Sequence, residues 1–271
     1  MHRYRIRWTK QGRVRFVSAR DLSAVWERAL RRADLPIAYS EGFSPHAKVS
    51  FPDALSVGYE STGEYAELTF VAPLRPERDL AALSAALPEG MDITTYLEVP
   101  DGAPKLAKML RVTLWELRWP PVDAAELTAL LTDRSRLLLA ADTAEVLRRR
   151  PSGDKILDVR PAVLSLAAGT LTMPGTDAPA DAGGAPERDS TGGVHTVLRA
   201  VLRNDGPTVR PPELLTALTD AVAPEGADAI EVAPPVVTCR VAQGELDDVA
   251  VREALSGARY PVDPVVEAEA A

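Results

Sequence analysis

The first sixteen residues constrain the fold most tightly. Tyr4, Ile6, Trp8, Val14 and Phe16 alternate with Arg3, Arg5, Arg7, Arg13 and Arg15. A two-residue period belongs to a strand with one buried face, because successive side chains leave opposite sides of the pleat. Lys10-Gln11-Gly12 interrupts the run and predicts a bend or bulge. Five guanidinium groups on one sheet face repel one another unless that face meets acids or phosphates. Residues 1–50 hold eleven Lys/Arg against four Asp/Glu, whereas the whole 271-residue chain has a formal charge of −8. A basic lobe on an acidic protein predicts a polyanionic partner. The alternative is that these arginines pair with the protein's own carboxylates.

The period then changes. Ser18-Ala-Arg-Asp21 is a capping-box pattern, with Ser18 at the N-cap. Leu22, Val25, Trp26, Ala29, Leu30 and Ala33 form one apolar helical stripe that ends before Pro36. Strands are predicted near 37–39, 48–51 and 65–71, a helix over 76–86, and a closing strand over 93–99. Strand, helix, strands, helix, strand is the split βαβ order. A looser version follows, with strands at 110–118, 156–166, 171–173, 194–202 and 229–241. Its helices are expected at 123–131 and 211–222, with a helical or irregular stretch at 140–149. The expected fold is therefore α+β, with two ferredoxin-like halves carrying antiparallel sheets. The first half is residues 1–100 and the second 109–260. Residues 174–193 lack apolar periodicity and read as a disordered insertion, and the tail after Pro261 reads as loose.

No apolar run reaches the ~20 residues of a membrane span, so no membrane partner is expected. Cys239 is the only cysteine and sits in an apolar strand, which excludes a disulfide framework and predicts a reducing cytoplasm. The histidines are His2, His46 and His195, with no metal-ligand spacing, so neither a metal nor another cofactor is expected. Neither a phosphate-loop signature nor a nucleophile elbow occurs.

The densest cluster of special residues is Ala38-Tyr-Ser-Glu-Gly42-Phe-Ser44-Pro45-His46-Ala-Lys48. Pro45 fixes the backbone before His46, and extended chain puts His46 and Lys48 on one face. Imidazole exchanges protons near neutral pH, and a neighbouring ammonium holds an anion beside it. His46 and Lys48 are therefore the candidate catalytic pair. The bland alternative is that His46 staples its loop. Glu41, Glu60, Glu64 and Glu67 are nearby in sequence and are candidates to orient it. Candidate anion contacts are Arg3, Arg5, Arg7, Arg13, Arg15, Gly42, Ser44 and Lys48. Arg160, in Asp158-Val-Arg160-Pro161, and Arg210, before Pro211-Pro212, are further candidates.

Phe16-Val-Ser-Ala-Arg-Asp-Leu22, the run Leu35-Pro36 through Lys48, and Gly58-Tyr-Glu-Ser resemble the radical-SAM-linked protein family. The resemblance is specific over residues 3–70 and weaker at 155–161 and 209–211. It implies a separate radical SAM enzyme as partner, and a setting in RNA metabolism. The family often carries His where this chain has Ala19, and Pro where it has Ala47. A two-histidine site therefore cannot form here. Three functions follow as expectations. The first is an accessory protein that binds tRNA or rRNA and presents it to the partner enzyme. The second is an RNA-processing or RNA-modifying enzyme using His46 as acid or base. The third is a protein-interaction subunit without nucleic acid.

Overall fold

The computed structural model describes residues 1–53, 55–173, 192–222 and 232–264. The fold is mixed α+β, with a large, mostly antiparallel sheet and four α-helices among the described residues. No helix among those residues is long and apolar enough to cross a membrane. The chain divides into two compact units. The first takes residues 1–110, 239–245 and 253–258, and the second takes the remaining described residues.

The first unit opens with β1 (His2–Lys10) and α1 (Ala19–Arg32). The expected cap is present: Ser18 Oγ accepts the Asp21 amide at 3.2 Å. Then come β2 (Val49–Ser50), β3 (Glu60–Phe70), α2 (Pro76–Ala86) and β4 (Ile93–Glu98). Pro76 opens α2, where a missing N–H is harmless. The strand order is β4-β1-β3, with β2 on the far side of β3, and all these pairs are antiparallel. Tyr4, Ile6 and Trp8 of β1 and Ala66, Leu68 and Phe70 of β3 form one core with Trp26 and Leu30 of α1 and Leu80 and Leu83 of α2. Trp8 meets Trp26 edge-on at 5.4 Å between ring centroids. Each large apolar side chain so buried contributes about 1.5–3 kcal/mol.

The opening strand is shorter than its alternation predicts. Gly12 adopts φ +59°, and Gly12–Phe16 coil into a 3-10 turn. A left-handed residue breaks the pleat, and the period becomes three. Arg13 and Arg15 therefore do not continue the row of Arg3, Arg5 and Arg7.

The second unit contains β5 (Val112–Arg118), α3 (Ala124–Ala140), the hairpin β6 (Glu145–Arg148) and β7 (Lys155–Asp158), β8 (Val163–Met173), β9 (Gly193–Arg203) and α4 (Pro211–Thr216). Here β9 pairs antiparallel with both β5 and β8. Three expectations are corrected. The helix at 123–131 continues to Ala140, because Leu131, Arg134, Ser135 and Leu138 bury one stripe. The strand at 156–166 is split by a 3-10 turn, Arg160–Ala162, at Pro161. The helix at 211–222 passes from α4 into a π-helical turn over Ala217–Ala221. The expected insertion lies outside the described residues apart from 192 and 193, as do 229–231 of the last predicted strand and 265–271 of the tail. That strand, β10 (Val237–Leu246), returns residues 239–245 to the first unit, where Cys239 and Arg240 pair in parallel with Glu60 and Ser61 of β3. The described chain ends with β11 (Ala250–Glu253) and β12 (Arg259–Pro261).

Candidate functional site

The arginine row of β1 is not an open surface. Arg5 is 2% exposed and Arg7 6%. Arg5 Nε donates to Glu67 Oε2 at 2.9 Å, Nη1 contacts Met109 Sδ at 3.0 Å, and Nη2 donates to the Pro104 carbonyl. Arg7 Nη2 donates to the Val241 carbonyl at 3.0 Å. Arg3 reaches Glu67 Oε1 at 3.3 Å, and Arg15 reaches Glu60 Oε1 at 2.9 Å. The pairing register explains this closure. Arg5 stands directly opposite Glu67, so both side chains leave the sheet on one face. Of the expected arginine anion contacts in this segment, Arg13 is exposed and Arg3 and Arg15 are partly so.

The Gly/His loop is a surface hairpin. Tyr39 bridges Ala47, the Ser40 amide donates to the His46 carbonyl at 2.9 Å, and the His46 amide donates to Ser40 Oγ at 3.0 Å. Gly42 takes φ +122° at the tip, in open space. Gly42, Ser44, His46 and Lys48 are all exposed. None of the four expected glutamates accompanies His46. Its neighbour is Glu27 of α1, with Oε1 at 3.8 Å from His46 Nδ1 and 3.4 Å from the Ala47 amide. Glu27 thus tethers the hairpin to the helix.

In the second unit Arg160 does structural work. Its guanidinium donates to the carbonyls of Leu139 and Ala141 at 2.8 and 3.1 Å, satisfying the C-terminal end of α3, and to Val163 at 2.9 Å. Asp158 accepts the Ala144 and Arg160 amides. Arg210 is exposed, and its amide donates to Glu213 Oε2 at 2.8 Å.

A concave feature lies in the first unit, where the core rows of β1 and β3 end. It is a cavity of about 280 Å³. Leu22, Phe51, Pro52 and Leu55 supply its apolar wall, and Ala19, the first residue of α1, stands at its edge. Its polar lining is Lys10, Asp53 and Glu64. Lys10 is 2% exposed and Glu64 4%. Among the described residues, no hydrogen bond or ion pair engages the Lys10 ammonium. Arg240 braces the two carboxylates, with Nη1 at 3.1 Å from Asp53 Oδ2 and Nε at 3.5 Å from Glu64 Oε1. Glu64 Oε1 is nevertheless buried without a hydrogen-bond donor among the described residues. Burial pushes the Lys10 ammonium below its ordinary pKa. Glu64 opposes that shift and Arg240 adds to it.

Alternation could have revealed this pair. Tyr4, Ile6 and Trp8 point into the core, and the next position of that period is Lys10. Ala66, Leu68 and Phe70 point into the same core, and the preceding position is Glu64. Two charges thus occupy inward positions of neighbouring strands, a local violation of patterning of the kind that collects at functional sites. The fold also brings Asp53 and Arg240 there from distant sequence, and no local pattern announces that meeting.

A model of a family described as an uncharacterized protein conserved in bacteria matches residues 3–211, which include Lys10, Asp53 and Glu64 but not Arg240. No curated protein matches the chain.

Proposed function

The chain belongs to that bacterial family, DUF2344, and we propose that its first unit binds a compact polar ligand in the Lys10 cavity. One observation carries this reading: a lysine only 2% exposed lines a cavity, and its ammonium has no hydrogen bond or ion pair among the described residues. A buried charge without a partner is unfavourable, and a ligand anion is the natural compensation. Sites of this kind combine apolar walls with a few convergent polar groups, and perturbed ionisable groups mark them. At about 280 Å³ the cavity falls just below the ~300–1,000 Å³ typical of drug-sized ligands, which favours a small metabolite. The strand order β4-β1-β3-β2, with a helix in each crossover, supports the ferredoxin-like reading of this unit.

The test is a thermal-shift screen of small carboxylates, phosphates and amino acids against the wild type and Lys10→Gln. At a hundred times its Kd a ligand stabilises by about 2.7 kcal/mol. The expected result is that at least one compound raises the wild-type Tm and leaves Lys10→Gln unmoved. Shifts that are equal in both proteins, or absent from the wild type, contradict the proposal.

RNA binding is a second reading, moved from the strand to the surface. Arg15 lies 4.9 Å from the centroid of the Phe16 ring, and that ring is 60% exposed. Arg13, Arg20, Arg28 and Arg31 are exposed, and so is Phe43 at the hairpin tip. Exposed rings beside guanidinium groups are what single-stranded RNA stacks upon. Fluorescence anisotropy with tRNA then predicts salt-sensitive binding, weakened at least tenfold by joint Ala replacement of Arg20, Arg28 and Arg31. Unchanged affinity in that variant removes the reading. A separate radical SAM enzyme as partner is proposed on the sequence resemblance alone.

A further inference from the structure

The charges around the Lys10 cavity separate into two signs. On the positive side stand the Lys10 ammonium and the edge of α1, where Ala19 lines the cavity as the first helical residue. The first amides of a helix have no intrahelical acceptor and favour a negative group. Asp21 of the same turn is folded back, with Oδ2 at 2.7 Å from Ser18 Oγ. On the negative side stand Asp53 and Glu64. Arg240 engages both, yet Glu64 Oε1 still lacks a donor among the described residues. Lys10 and Glu64 influence one another electrostatically without forming an ion pair. The cavity therefore sets an ammonium without an acceptor among the described residues beside the carboxylate-bearing residues Asp53 and Glu64.

With Arg240 included, the two cations and two carboxylates sum to no net charge. A simple anion gains Lys10 but meets Asp53 and Glu64. A simple cation gains Glu64 but meets Lys10 and Arg240. A ligand carrying both signs close together suits both sides at once. We infer that the ligand of this cavity is a small zwitterion of the α-amino acid type. Its carboxylate lies on Lys10 and the α1 N-terminus, its ammonium donates to Glu64, and its side chain packs against Leu22, Phe51 and Leu55. The inference rests on the reading that Lys10 binds a ligand, and it specifies which one.

Isothermal titration calorimetry of the full chain with L-alanine, propionate and L-alanine methyl ester tests this inference. The three probes share a framework and differ in charge. L-Alanine is expected to bind at least tenfold more tightly than either of the others. Glu64→Gln is expected to erase the preference for L-alanine, weakening L-alanine while propionate binds more tightly, because the carboxylate that repels a simple anion is gone. The wild-type comparison is decisive without the variant, should Glu64→Gln fail to fold. Propionate binding as tightly as L-alanine, or a Lys10-dependent phosphate binding with no response to L-alanine, overturns the zwitterion and leaves the Lys10 site standing. Silence from every carboxylate, phosphate and amino acid overturns both.

Discussion

Replacing Arg5 with Ala is expected to destabilise the protein by roughly 3–5 kcal/mol, the range for breaking a buried charge pair by removing one partner. Arg5 is 2% exposed and joins three groups: the Glu67 carboxylate, the Pro104 carbonyl and Met109 Sδ. Truncation leaves the Pro104 carbonyl without this donor, takes one of two guanidinium partners from Glu67, and leaves the volume of the buried side chain empty. Arg3→Ala is the internal control. Arg3 shares Glu67 from a half-exposed position at 3.3 Å, and solvent screening limits its loss to about 1 kcal/mol or less. Urea unfolding of the two variants should therefore show a large and a small shift of midpoint. Equal shifts would show that Arg5 is not the internal strut described here.

Lys10→Met is expected to act in the opposite direction, raising Tm at pH 7 by roughly 2–4 °C, equivalent to about 1 kcal/mol for a chain of this size. The substitution removes a buried ammonium and retains an apolar stem. The pH dependence identifies the cause. The folded-state pKa of Lys10 lies below its ordinary 10.5, because burial disfavours the charged form. Between those two values the unfolded chain binds more protons than the folded one, so wild-type stability rises with pH across that window. Below the folded-state pKa the whole penalty is present. Lys10→Met lacks this rise, so its advantage is full at neutral pH and shrinks as pH approaches 10.5. An advantage that does not change with pH would assign the effect to packing alone. A protein that gains stability by losing a charge has kept that charge for another purpose.

Much of the first unit was legible because its signals are local. The apolar stripe Leu22–Ala33, the Ser18 cap, Pro76 at the start of α2 and the alternation of β1 are each complete within a short window. The core of Trp8, Trp26, Leu68 and Phe70 follows from them. The fate of the arginines was not legible. Whether Arg5 meets a phosphate or a carboxylate depends on a register that brings Glu67 opposite it, and on the chain at Pro104 and Met109 covering that face. Both are long-range facts. The true neighbour of His46 was missed for the same reason, since Glu27 lies nineteen positions away on another element. The cavity was half legible. Lys10 and Glu64 break the inward alternation of their strands, but Asp53 and Arg240 are brought to them only by the fold.

Resolving the lysines by NMR measures the central claim most directly. The chain has five, at positions 10, 48, 105, 108 and 155, and the last four are exposed. With lysine labelled at Cε and Nζ, the signal absent from Lys10→Gln identifies Lys10 without further assignment. The predicted result is that the Lys10 signal titrates distinctly below the ordinary lysine value of 10.5, because burial beside the cavity, with no partner among the described residues, disfavours its charged form. A Lys10 signal that titrates at its ordinary value would place that ammonium in water and contradict the account.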